Sequence, residues 1–190
     1  MSTKHRAFPR IRGTNITLIG MPGSGKSTMA KVTAKFMGRE RIDTDRILCA
    51  QTHSTSPGDL YQKTDFASYV RAEETAILSL DLTLEEKIIA TGGSVIYSTR
   101  GMRHLQKLGA IIYIEVPIEI LKTRFTSLEK RGVLLKPGQS FQDLYWARHT
   151  LYKRYADMEF RPGDLDVGSS AKLLAALIHF MEEERARYNA

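Results

Sequence analysis

The sequence has one cysteine, Cys49, in 190 residues. An internal disulfide is therefore excluded, and a reducing, cytoplasmic setting is expected. The residues around Cys49 suggest a buried structural thiol rather than a nucleophile. No apolar run approaches the roughly 20 residues needed to cross a bilayer, so no membrane association is expected. The stretch 1–13 carries Lys4, His5, Arg6, Arg10 and Arg12 without an apolar segment. It reads as a basic flexible tail and not as a secretory signal. Also missing is any run of Lys and Arg interleaved with aromatics. The net charge of +7 is spread along the chain, which favours small anionic ligands over nucleic acid. Internal repeats and low-complexity segments are absent, and a monomer is expected.

What is present starts at Gly20-Met21-Pro22-Gly23-Ser24-Gly25-Lys26-Ser27. This is G-x-x-x-x-G-K-S, the phosphate-binding loop in full. The β-branched run Asn15–Ile19 precedes it as a strand, and a helical pattern over 28–36 follows. Strand, loop and helix together aim backbone N–H groups and a helix N-terminus at one point. Lys26 would reach the β- and γ-phosphates, and the Ser27 hydroxyl would take a place on magnesium.

Alternating strand and helix patterns argue for an α/β fold with a mainly parallel sheet. Residues 41–45 read as a short strand that brings Asp43 and Asp45 to one face. These carboxylates could serve magnesium and a substrate hydroxyl; equally, Asp45 could cap a helix over 46–50. Asp59 is expected to cap a short segment. A helical stripe over 66–80 comprises Phe66, Tyr69, Val70, Ala76, Ile77 and Leu80, and Arg71 stands three residues before Glu74, as in a surface ion pair. The run 87–91 reads as a buried strand, with Gly92-Gly93-Ser94 at its end suited to close approach of a ligand or to an ordinary turn. A helix over 98–108 ends at Gly109 as its C-terminal cap, and the strand 110–116 is stopped by Pro117. A helix over 118–125 follows. Residues 129–139 hold Arg131, Gly132 and Pro137, and read either as a mobile lid over phosphates or as a solvated loop. Ser140 and Asp143 open a long helix containing Arg148. Residues 164–167 suggest a final strand, and 171–188 a closing helix.

This ordered series resembles the shikimate kinase family, over 15–157. The loop 20–27 matches its nucleotide loop, Ile42-Asp43-Thr44-Asp45 its acidic strand end, and Gly92-Gly93-Ser94 its triple glycine. Arg71 with Glu74 resembles its F-R-x-x-E helix, with Val70 in place of phenylalanine. Arg131–Leu135 resembles its R-P-L-L lid, and Arg148–Tyr152 its R-x-x-x-Y. The resemblance implies a three-layer α/β/α kinase fold with a five-stranded sheet and a mobile lid at about 127–140. It places the substrate-binding helices at about 46–80, within one domain spanning 14–190. It implies ATP and Mg²⁺ as cofactors and shikimate as the leading acceptor, with homoserine or gluconate as alternatives. ATP would lie on Gly20, Pro22, Gly23, Ser24, Gly25, Lys26, Ser27 and Thr28, with Arg124 near the adenine. Ser27 and Asp43 would hold Mg²⁺, Asp43 acting through water. Asp45 would engage the attacking hydroxyl. Arg71 and Arg148 would clamp the substrate carboxylate, with Gly92 and Gly93 beside the ring. Lys26, Asp45 and Arg131 would be the catalytic groups. Ser94, Gly132 and the residues before Phe66 depart from the family pattern, and those departures fall on substrate and lid elements. A non-catalytic nucleotide-binding regulator is the reading from another class, supported by the basic charge.

Overall fold

In the computed structural model, residues 13–124 and 138–189 are described. Five strands form one sheet: β1 (Asn15–Ile19), β2 (Arg41–Asp43), β3 (Ile88–Ala90), β4 (Gly109–Ile114) and β5 (Met158–Phe160). Their order is β2-β3-β1-β4-β5, and every pairing is parallel. Parallel neighbours need long crossovers, and helices supply them: α1 (Lys26–Met37), α2 (Thr44–Thr52), α3 (Pro57–Lys63), α4 (Phe66–Leu78), α5 (Thr99–Leu108), α6 (Ile118–Arg124), α7 (Phe141–Tyr155) and α8 (Val167–Asn189). α1 packs on β2 and β3 and against α8; α5 packs on β1 and β4 and against α4. Helices flank the sheet, giving the three-layer α/β/α architecture.

β1 and β4 are buried along their whole lengths, which explains their near-continuous apolar sequences. A second, smaller cluster of Leu48, Leu60, Tyr69 and Ala76 ties α2, α3 and α4 together beside the main core. Strand order reverses around β1, because β3 lies on one side of it and β4 on the other. A crevice opens at the carboxyl ends of the strands at such a reversal. The start of β1 is pinned by buried Asn15. Its Nδ2 donates to the carbonyls of Leu84 at 2.6 Å and Leu108 at 2.8 Å, and its Oδ1 accepts from the Lys87 N–H at 2.9 Å.

Several boundaries differ from the sequence expectation. β2 stops at Asp43, so Asp45 lies in the first turn of α2 and not on a strand. Asp43 holds the N-cap position of α2, without a side-chain capping bond. Ser56, not Asp59, caps α3, accepting from the Asp59 N–H. Gly109 holds the C-cap position of α5, its N–H donating to the Leu105 carbonyl, and is at the same time the first residue of β4, where a Cβ would collide with the Asn15 carbonyl. The last strand is at 158–160, before a turn; residues 164–167 lead into α8. Cys49 is half-buried on α2, and burial pushes its thiol further up, away from thiolate chemistry. The basic residues of 1–12 and most of the expected lid lie outside the described residues.

Candidate active site

A cavity of 420 Å³ opens above the carboxyl edge of the sheet. One wall is the loop between β1 and α1, represented by Pro22, Gly23, Gly25, Lys26, Ser27 and Thr28. Gly20 turns the chain at φ 149°, where a Cβ would lie 2.6 Å from the Ile114 carbonyl oxygen. Gly25 opens α1 in a left-handed conformation with φ 90° and no side-chain cap. The first N–H groups of α1 are thus left for a phosphate. Lys26 is 6% exposed. Its Nζ donates to the Gly20 carbonyl at 2.8 Å and the Met21 carbonyl at 2.9 Å, both within its own loop. Burial pushes its pKa down to about 8, opposed by the Asp45 carboxylate. A phosphate would replace these carbonyl contacts with a charged one.

Asp45 lines the same cavity. Burial raises its pKa, Lys26 pulls against that rise, and Asp43 adds to it. A carboxyl raised in this way is better matched to accept a hydroxyl proton near neutral pH. Asp43 stands apart from the cavity wall, and its Oδ2 receives Arg41 Nη1 at 3.1 Å.

The sequence reading passed over Glu73. It is 3% exposed, and neither carboxylate oxygen has a hydrogen-bond partner among the described residues. Burial drives its pKa up to about 7; nearby Ser94 moderates the rise, and Asp45 adds to it. Gly92 makes this placement possible. A Cβ at Gly92 would overlap Glu73 Oε1 and lie 2.9 Å from Asp45 Oδ1. The two carboxylates therefore face the same short stretch of backbone. Tyr69, one turn before Glu73, also lines the cavity, with Thr91, Ser94 and Pro57. A sequence signal for Glu73 existed: an acid four residues after Tyr69 and three before Ala76 falls on the apolar stripe of its helix.

Arg148 is the largest side chain that is fully buried, at 1% exposure. Its Nε donates to the Tyr97 hydroxyl at 3.3 Å, and its guanidinium lies 5.3 Å from the Tyr97 ring centroid. Among the described residues its Nη2 has no hydrogen-bond partner. Tyr152 donates to the Gly93 carbonyl at 2.5 Å, holding the glycine turn against α7. Gly93 packs close to Pro22, and a Cβ there would be 2.7 Å from Pro22 Cδ.

Arg71 does not join Arg148. It is exposed on α4, and its Nη2 donates to Ser68 Oγ at 2.8 Å. Nor is it shown paired with Glu74, whose carboxylate takes the Ser98 hydroxyl and Arg100. A helix turns about 100° per residue, so the face that buries Tyr69 and Glu73 turns Arg71 towards solvent. Arg124 Nη1 donates to the Gly23 carbonyl at 3.1 Å. It also lines a second cavity of 490 Å³ with Pro117, Ile118, Trp146 and Pro162. Arg131 lies outside the described residues. Among the described residues, no group of three or more His, Cys, Asp or Glu is placed to hold a metal ion.

The shikimate kinase family model matches residues 22–179. The chain belongs to the shikimate kinase family. A shikimate kinase of Psychrobacter sp. (strain PRwf-1) is 30% identical over 152 residues, covering 79% of this chain and 83% of that one. One of Vibrio campbellii is 33% identical over 177 residues, covering 90% of this chain and 97% of its relative. In three dimensions the chain is similar to the shikimate kinase from Acinetobacter baumannii in complex with shikimate. There the TM-score is 0.77 at 26% identity, over 87% of this chain and 93% of that one. As a shikimate kinase family member, the chain is a phosphotransferase acting on a hydroxyl group.

Proposed function

We propose that the protein transfers the γ-phosphoryl group of ATP to a hydroxyl of shikimate, giving shikimate 3-phosphate. One observation carries this reading. Arg148, buried and with no partner for Nη2 among the described residues, borders the same cavity as the phosphate-binding loop and Asp45. A buried guanidinium with a free donor calls for an anion, and a planar carboxylate suits it.

ATP phosphates would lie on the loop 20–28, with Lys26 leaving its carbonyl partners to meet them. The base would lie towards Arg124 and the cavity lined by Trp146 and Pro162. Asp45 would orient the attacking hydroxyl and accept its proton, while Gly92, Gly93 and Tyr69 form the floor. Phosphoryl transfer needs positioning and charge neutralisation more than covalent help. Lys26 supplies positive charge here, and Arg131 would add to it from the lid.

Mg²⁺ favours a few hard oxygens together with phosphate oxygens. Ser27, exposed at the cavity wall, and Asp43, held in place by Arg41, fit that donor set. The ion would neutralise charge on the phosphates. We place the enzyme in the cytoplasm as a monomer with a single kinase domain. Among the described residues, no helix is long and apolar enough to cross a membrane.

A second acceptor reading has its own support. An acid, Asp45, and a buried cation, Arg148, line one cavity. That pair also suits an amino acid such as homoserine. A panel of shikimate, homoserine and gluconate with MgATP, read by coupled ADP release, decides between them. Shikimate-dependent ADP release is expected; its absence at millimolar acceptor overturns the shikimate assignment. Salt-sensitive nucleic-acid binding without turnover of any acceptor would favour a non-catalytic regulator.

A further inference from the structure

We propose that Tyr97 is a specificity-determining residue of the acceptor site, its hydroxyl completing with Arg148 the clamp for one carboxylate oxygen. This rests on the proposed function above and names the groups that hold its acceptor.

The argument begins with the guanidinium. Nε and Nη2 present two parallel N–H donors along one edge, the edge that grips a carboxylate through two bonds. In Arg148 the Nε donor is taken by the Tyr97 hydroxyl at 3.3 Å, and Nη2 has no hydrogen-bond partner among the described residues. Tyr97 thus stands where one of two carboxylate oxygens would stand. An acceptor oxygen bound at Nη2 comes to rest beside the phenol oxygen, within hydrogen-bond reach. Because the phenol accepts the Nε–H, its own proton remains to be donated. The same carboxylate oxygen can therefore receive Nη2–H and Tyr97 O–H together.

The surroundings hold Tyr97 in this role. It ends the short 3-10 turn Val95–Tyr97 that follows the glycine pair. Its ring lies edge-on to Phe66 at 5.3 Å between centroids, and under Arg148 on another side. The arginine expected to share the clamp, Arg71, is exposed on α4 and bonded to Ser68. Among the described residues lining the cavity, the side-chain cations are Lys26 and Arg148. Lys26 serves the phosphate loop. A neutral donor beside Arg148 then supplies the second bond without a second buried charge to desolvate.

Tyr97→Phe keeps the ring, its Phe66 contact and its place under Arg148, and removes only the hydroxyl. Shikimate and its methyl ester are titrated into both proteins by calorimetry, and turnover is followed with saturating MgATP. The expected result is a rise of about tenfold in Kd and KM for shikimate, with kcat and the KM for ATP held within twofold. The ester, having lost its anionic oxygen, should bind both proteins alike. An unchanged shikimate Kd in Tyr97→Phe overturns the proposal. Equal weakening of acid and ester also overturns it, since Tyr97 would then only pack. If the wild-type protein neither binds nor phosphorylates shikimate, the proposed function fails and this assignment falls with it. If the wild-type protein works and the variant matches it, only the Tyr97 assignment falls.

Discussion

The Glu73 carboxylate rests against the Cα of Gly92, so closely that a Cβ at position 92 would overlap Oε1. Glycine is thus required there by the buried acid, whatever the ligand. In Gly92→Ala, Glu73 and Asp45 must both move, and displacement of reacting groups by about 1 Å can cost about 100-fold in rate. We expect kcat/KM to fall by about that factor in steady-state assays, with nucleotide affinity nearly unchanged. A fall of less than threefold would mean that the site adjusts freely around the methyl group.

Glu73 also makes a pH prediction. Its pKa rises from 4.5 in the unfolded chain to about 7 in the fold, chiefly by burial. Between those values the folded state binds more protons than the unfolded state. Stability contributed by this group therefore falls as pH rises through that window, by up to about 3 kcal/mol. Glu73→Gln removes the dependence. Urea unfolding of the ligand-free protein at pH 5 and pH 7.5 should show the variant gaining on the wild type as pH increases. A constant difference would show that Glu73 ionises normally.

Arg71 and Arg148 should behave differently despite being the same residue type. Arg71→Ala removes an exposed guanidinium bonded to Ser68, and acceptor KM should stay within twofold. Arg148→Met removes the buried cation of the cavity and should raise acceptor KM by at least about 100-fold. Kinetics with shikimate as the varied substrate test both. A large effect at Arg71 would restore the two-arginine clamp.

Lys26→Met should reduce kcat by about 10²- to 10³-fold, the usual loss for one charge-stabilising group. ADP release measured at saturating acceptor checks it. Activity within tenfold of wild type would remove Lys26 from the transfer step.

Asn15→Leu tests the fold rather than the site. It deletes three hydrogen bonds at a fully buried position and leaves the partner backbone groups unpaired. A loss of about 2–4 kcal/mol is expected from urea unfolding. The folded variant should keep its acceptor KM, because Asn15 stands at the opposite end of β1 from the loop.

The contiguous parts of this protein were legible in its sequence. The phosphate loop is one run of backbone, and its glycines, Lys26 and Ser27 carry their roles in their spacing. The capping pair Ser140 and Asp143 and the apolar runs of β1 and β4 are likewise local, so they read directly as a helix start and buried strands. The acceptor side was only partly legible. A helix changes facing by 100° per residue, so the burial of Glu73 and the exposure of Arg71 follow from how α4 packs, which its sequence does not spell out. Gly109 was legible as a helix cap, but its second role, opening β4 opposite Asn15 of β1, depends on a strand far away in the sequence. Tyr97 carried no signal, since its partners Phe66 and Arg148 lie on separate helices that meet only across the folded sheet edge. The sequence alone determined the phosphate-binding chemistry, because that chemistry resides in one loop. Tertiary structure decided that Glu73 and Arg148 are buried while Arg71 is exposed, because packing of α4 and α7 against the glycine turn sets their orientation.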